Sequence, residues 1–250
     1  MASRDRVAIE KLPGFRRRFR ITPGSGHIKT EVEDDYHCMA VVIHHDGHTV
    51  TAIEPEMRRA PWTTCPGAVE QLRQTFSGVA LGDIAGRGGK LDNCTHLYDL
   101  VLLAASHVLD REPVVYDILV SDPVAGERRA EIRRNGATVL GWTEAGFRLV
   151  EPEPLAGATL DRLRSWIDFF EPRHHEAARL LRWANMIANG RVIPLENQSD
   201  ASRMPPNCYT FQPHRAVRAR RVGIIRDFSD GTHQPLEQGL LNTDMVSGPR

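Results

Sequence analysis

Residues 36–57, "YHCMAVVIHHDGHTVTAIEPEM", decide the fold. Two β-rich runs flank Asp46-Gly47, and Asp-Gly accommodates the positive φ angles that a tight hairpin turn demands. The stretch therefore predicts two antiparallel strands joined locally, with no crossover helix between them.

Working outward, "FRRRFRI" (15–21) alternates and Gly24-Ser25-Gly26 punctuates, which extends an N-terminal sheet over 15–57. Pro66 in "PWTTCPGAVEQLRQTFSG" suits a first helical position, so Cys65 is the expected N-cap and Gly78 the stop of a helix over 65–78. "GDIAGRGGKLDN" (82–93) then leads into a helix over 95–109, where Leu97, Leu100, Val101, Ala104, Ala105 and Val108 recur at helical spacing. Strands are expected over 114–150, with Asn135-Gly136 as a second hairpin turn, then helices over 158–190 and strands over 207–228. Strands and helices are grouped rather than alternated. The expected class is α+β: antiparallel β-sheets with hairpins packed against about four α-helices, in a single domain over 1–230 followed by a polar tail, 231–250. "GDIAGRGG" has neither the dinucleotide fingerprint nor the Lys-Ser/Thr of a phosphate loop, which argues against a nucleotide site.

The composition narrows the class of function. At 250 residues, with 41% hydrophobic and 26% charged, the chain can build a sizeable core. Lys plus Arg equals Asp plus Glu at 32 each, so no global field draws in nucleic acid or an anionic membrane. No apolar run approaches the roughly 18–20 residues of a membrane span, and the charged N-terminus has no secretory h-region. Cys38, Cys65, Cys94 and Cys208 are too sparse for a disulfide scaffold. The expectation is a reduced, cytoplasmic protein with a small-molecule partner; association into a homo-oligomer stays open.

Cys65, Cys94 and His96 are the first candidates for chemistry. Both cysteines stand at expected helix N-termini, where free N–H groups and the helix dipole favour an anion, so a nucleophilic or metal-binding thiolate fits. With His37 they make a Cys2His2 set able to hold zinc, although no Cys-x-x-Cys spacing is present. Two small buried thiols with a loop-pinning histidine explain the same residues. His37 begins a strand directly after Asp34-Asp35-Tyr36, and a histidine–carboxylate pair there could act as a general base near neutral pH.

Arginines recur in the N-terminal strand (Arg16, Arg17, Arg18, Arg20) and again at Arg215, Arg218, Arg220 and Arg221. Such strands suit bidentate recognition of carboxylates or phosphates, and a solvated sheet face with salt bridges is the plainer reading for most of them. Tyr209 and His214 in "CYTFQPH" could offer a phenol and an imidazole to a substrate, or simply fill a strand.

"HCMAVVIHHDGHTVTAIEPEM", "APWTTCPGAVEQLRQTFSGVALG" and "GGKLDNCTHLYDLVLLAA" together resemble the bacterial domain-of-unknown-function family 2889. That family shows a His-Asp-Met strand start, Pro-x-x-x-Cys before a helix, and Gly-Cys-Thr-His-Leu. Cys65, Cys94 and His96 match, while Cys38 stands in place of the Asp and Asn93 in place of the Gly. "RRNGATVLGW", "HHEAARLLRWANMIANGR" and "CYTFQPHRAVRARRVGIIRDF" also look familiar from longer members. The resemblance implies a setting among genes for degrading aromatic, steroid or lignin-derived compounds. It implies no mechanism.

The residues and the resemblance together lead to one expectation: a cofactor-independent catabolic enzyme that cleaves a bond in a small aromatic molecule, such as a lignin-derived phenolic, by acid–base chemistry. A lyase is favoured over a hydrolase, because deprotonating a p-hydroxyaryl substrate helps a side-chain group to leave. His96 and His37 are the proton-transfer candidates, and Cys94 and Cys65 position them or supply a thiolate. Tyr36 or Tyr209 would hold an oxygen, and Arg18 or Arg215 a carboxylate, beside His214. The alternative is a non-catalytic ligand- or partner-binding protein whose Cys/His cluster is structural, with zinc as its metal.

Overall fold

The computed structural model describes residues 7–237 apart from Leu163, Asp168, Phe169 and Ile224. Most of the expected polar tail, 238–250, lies outside the described residues. Among the described residues there are eight strands: β1 (Gly14–Gly24), β2 (His27–Glu33), β3 (Cys38–His45), β4 (Val50–Arg59), β5 (Val114–Ser121), β6 (Glu127–Arg134), β7 (Ala137–Ala145) and β8 (Arg148–Glu151). They are ordered β4-β3-β2-β1-β5-β6-β7-β8 in an antiparallel sheet. The helices are α1 (Ala68–Phe76), α2 (Thr95–Ser106), α3 (Arg164–Ile167), α4 (Pro172–Ile187) and α5 (Pro213–Ala216). The chain is α+β, as its sequence pattern implies. Within it are two compact units, one of residues 19–114 with 195–226, the other of 7–18 with 115–194 and 227–237.

In the first unit, β2 and β3 pair from His27↔His44 to Glu33↔Cys38, so residues 34–37 alone close the hairpin. β3 and β4 pair as the Asp46-Gly47 reading requires. Gly47 takes φ +96°, and Asp46 Oδ1 accepts the N–H groups of His48 and Thr49, pinning the turn. Helix α2 packs on β2 and β3, and α1 on β4. Leu97, Leu100, Val101 and Ala104 of α2 are all buried, and Thr30 of β2 donates its hydroxyl to the Leu100 carbonyl at 3.0 Å. Cys65 is not an N-cap. It opens a 3-10 turn, Cys65–Gly67, that follows Thr64 and runs into α1. Pro66 lacks an N–H, which is tolerated in such a first turn.

Residues 207–228 do not form the expected strands among the described positions. They carry α5 and a lone bridge from Arg221 to Trp62. Pro213 supplies no N–H and sits at the first position of α5, and the next N–H groups bond locally to carbonyls three or four residues back.

In the second unit, Asn135 (φ 48°) and Gly136 (φ 83°) make the two-residue turn between β6 and β7. Helix α4 packs on these strands. Leu181 and Ala184 face inward, and Trp142 Nε1 donates to Asn185 Oδ1 at 2.9 Å. The helices expected over 158–190 are, among the described residues, a 3-10 turn (Leu160–Arg162), α3, α4 and a closing 3-10 turn (Ala188–Arg191). The solvated arginine face is not present here. Arg16 and Arg17 are buried. Arg16 donates to the Glu10 carbonyl, Arg17 lies 4.3 Å over the Trp183 ring, and Arg18 pairs with Asp117 at 2.6 Å. An arginine in a strand covered by neighbours must find acceptors or rings inside the protein.

Candidate functional site

The four-residue loop between β2 and β3 is Asp34-Asp35-Tyr36-His37, and its geometry makes a carboxylate cradle. The Asp34 N–H donates to the His37 carbonyl at 2.9 Å, closing the loop. Asp34 Oδ1 in turn accepts the backbone N–H groups of Tyr36 and His37, both at 2.8 Å. The carboxylate is wholly buried, so these bonds and its neighbours must replace the lost water. His37 Nδ1 supplies the next contact, 3.0 Å from Oδ1 and 3.2 Å from Oδ2. An ionised carboxylate only accepts, so His37 carries its proton on Nδ1 and, in the neutral ring, leaves Nε2 as the basic edge.

His96, in the first turn of α2, stacks on His37 with ring centroids 3.9 Å apart and planes 24° apart. Tyr36 meets His37 edge-on at 6.3 Å. Behind the loop, Arg59 donates to the Asp34 carbonyl at 2.5 Å and to Glu33 at 3.1 Å, and Arg226 also reaches Glu33 at 3.3 Å. The loop is thus held from β4 and from the 195–226 segment.

Asp34, His37 and His96 are also the group able to hold a metal: one ligand atom from each lies within 4.8 Å of the others. This group contains no cysteine, so the Cys65–Cys94–His96–His37 set expected from the sequence is not the one drawn together among the described residues. The cysteines have a different environment. Burial pushes the Cys94 thiol up to about 12, with Cys65 adding to the same direction. Burial likewise pushes Cys65 up to about 11, against a hydrogen bond at 3.3 Å to Thr210 Oγ1. Both are neutral thiols at pH 7, although Cys94 does occupy the N-cap of α2. Burial outweighs the helix terminus there.

The remaining expected residues are placed as follows. Tyr209 and Arg215 stack on each other, with the guanidinium 3.7 Å from the ring, and the Tyr209 hydroxyl sits where a side chain on Gly67 would be. His214 is exposed on α5. Arg18 belongs to the other unit, where Asp117 satisfies it. Sequence reading missed Arg59 and Thr210; Arg221 was legible only as one of a run of arginines, and Asp34 as the carboxylate preceding His37. No family model, curated protein or solved structure matches this chain.

Proposed function

We propose that this chain is an enzyme that cleaves a bond in a small aromatic molecule by proton transfer at His37 and His96, without a metal. The observation that carries the reading is the buried Asp34–His37 pair with His96 stacked on it. Asp34 fixes the His37 tautomer and balances the imidazolium formed when Nε2 takes a proton from substrate. Two imidazolium rings face to face would repel, so the stack suits one extra proton: one ring serves as base while the other serves as acid. A phenolic substrate fits this chemistry, since its deprotonation pushes electrons toward a side-chain leaving group. That favours a lyase over a hydrolase. The resemblance to family 2889 supports an aromatic substrate by association.

The three ligand atoms within 4.8 Å favour a second reading, a zinc site serving either catalysis or structure. Its geometry is less apt. Nearly parallel rings 3.9 Å apart send their in-plane lone pairs alongside one another. Histidine ligands to one zinc must instead converge at about 2.0–2.1 Å. Conversion of a panel of p-hydroxyaryl compounds by purified protein, with elemental analysis of the same sample, tests both. Turnover that survives a chelator is expected. One tightly held zinc per chain, with turnover lost on chelation, would overturn the metal-free reading.

A further inference from the structure

We propose that Arg221 forms an anion subsite beside the Asp34–His37–His96 cluster, and that the aromatic substrate carries a carboxylate which this guanidinium holds. The substrate class rests on the reaction proposed above; the subsite itself rests on the surroundings of Arg221. Its guanidinium carbon lies 5.6 Å from the Tyr36 ring centroid and 5.5 Å from that of Trp62. Its Nε is shut off from solvent with no hydrogen-bond partner. Among the described residues, no carboxylate pairs with this side chain, and the groups that raise its affinity for a proton are Tyr36 and Cys65. Arg59 and Arg226, in the same unit, both reach Glu33. Arg221 is the exception in this set.

A cation partly withdrawn from water without a counter-ion is disfavoured, and here partial burial lowers the guanidinium's hold on its proton. A substrate carboxylate would remove that disadvantage through the planar, two-pronged donor geometry of arginine. Trp62 and Tyr36, both buried, flank the guanidinium with their rings and leave its remaining edge for an anion. Tyr36 is also the edge-on neighbour of His37, so an anion held by Arg221 lies one side chain away from the proton-transfer pair. Of the arginines whose sequence context suggested this role, Arg18 is paired with Asp117, and Arg215 donates to the Tyr209 carbonyl at 3.3 Å.

Calorimetric titration of the full chain with 4-hydroxybenzoate and with its methyl ester tests the assignment, since the two share ring and phenol and differ in charge. The acid is expected to bind about tenfold or more tightly than the ester, as a charge-assisted contact implies. Arg221→Gln should erase that preference and leave the ester's affinity unchanged, and Arg221→Lys should keep part of it. Because Arg221→Gln also removes an unpaired charge, its melting temperature should equal or exceed that of the parent. Equal binding of acid and ester, binding of neither, or a preference that survives Arg221→Gln would each overturn the subsite. Should the Gln variant fail to fold, the acid–ester contrast in the parent and in Arg221→Lys still decides. Titration reads binding rather than turnover, so a conversion that persists in His96→Ala defeats the proposed reaction and leaves this result standing.

Discussion

Two histidine–aspartate pairs lie in the unit formed by 19–114 and 195–226, and the contrast between them shows what makes such a pair chemically useful. His107 Nδ1 meets Asp110 at 2.7 Å, a shorter contact than the 3.0 Å of His37 and Asp34. By distance alone the first pair would be the better dyad. Its carboxylate, however, is 37% exposed, and His107 is the C-cap residue of α2. Asp34 is buried, carries two backbone N–H bonds, and has a second histidine against its partner. A pair at a helix end trims the helix; a pair with a desolvated carboxylate and a neighbouring imidazole can pass a proton on.

The largest effect that could break this contrast is at His96. His96→Ala is expected to abolish conversion of a phenolic substrate, by the roughly 10²–10⁴-fold typical of a lost acid–base group, with an unchanged circular dichroism spectrum. If instead the variant unfolds and no substrate is turned over by the parent, the cluster is structural. Asp34→Ala should be the most damaging change to stability, about 3 kcal/mol or more in urea unfolding, because it strands two buried backbone donors and the His37 N–H. A loss below that of an ordinary surface change would mean the loop does not depend on its cradle.

His107→Ala sharpens the same comparison from the other side. It should cost only about 1 kcal/mol, the scale of one net hydrogen bond, and leave turnover intact. A drop in turnover to match His96→Ala would show that the two pairs are not different in kind. The smallest neutral-pH effect is expected at Cys94→Ser, mild in both turnover and stability. Its thiol matters in alkali instead. With the folded value pushed up to about 12 against an ordinary 9.0, the folded state holds its proton more tightly than the unfolded chain. The stability this provides is complete below pH 9 and is lost as pH rises from 9 toward 12. Thermal melts across that range should fall less steeply for Cys94→Ala, and an unchanged slope would place the thiol outside the linkage.

The local grammar of this chain was open to reading in one dimension. Asp-Gly and Asn-Gly accept the positive φ that a tight turn demands, as Gly47, Asn135 and Gly136 do here, and the apolar spacing of α2 dictates a buried face whatever it packs against. These features give the hairpins, the main helices and the α+β class. His96 stands in a Cys-Thr-His run at a helix start, and His37 follows a pair of aspartates, so both were visible as candidates.

What the sequence could not carry is which side chains meet. His96 reaches His37 because α2 lies across β2 and β3, a contact set by long-range packing rather than by any spacing. For Cys94, two residues away, the sequence leaves open an activated thiol at a helix terminus or a small buried one; desolvation, which depends on the residues packed around it, decides for the second. The arginines of β1 alternate like a solvated face, yet burial is a property of a strand's neighbours, and Arg16 and Arg17 are inside. Residues 207–228 mix strand-like runs with Pro213, and only the folded chain shows the local helical bonding winning. Backbone preference is local and survives in the sequence; proximity, burial and charge balance are sums over distant residues and exist only once the chain has closed on itself.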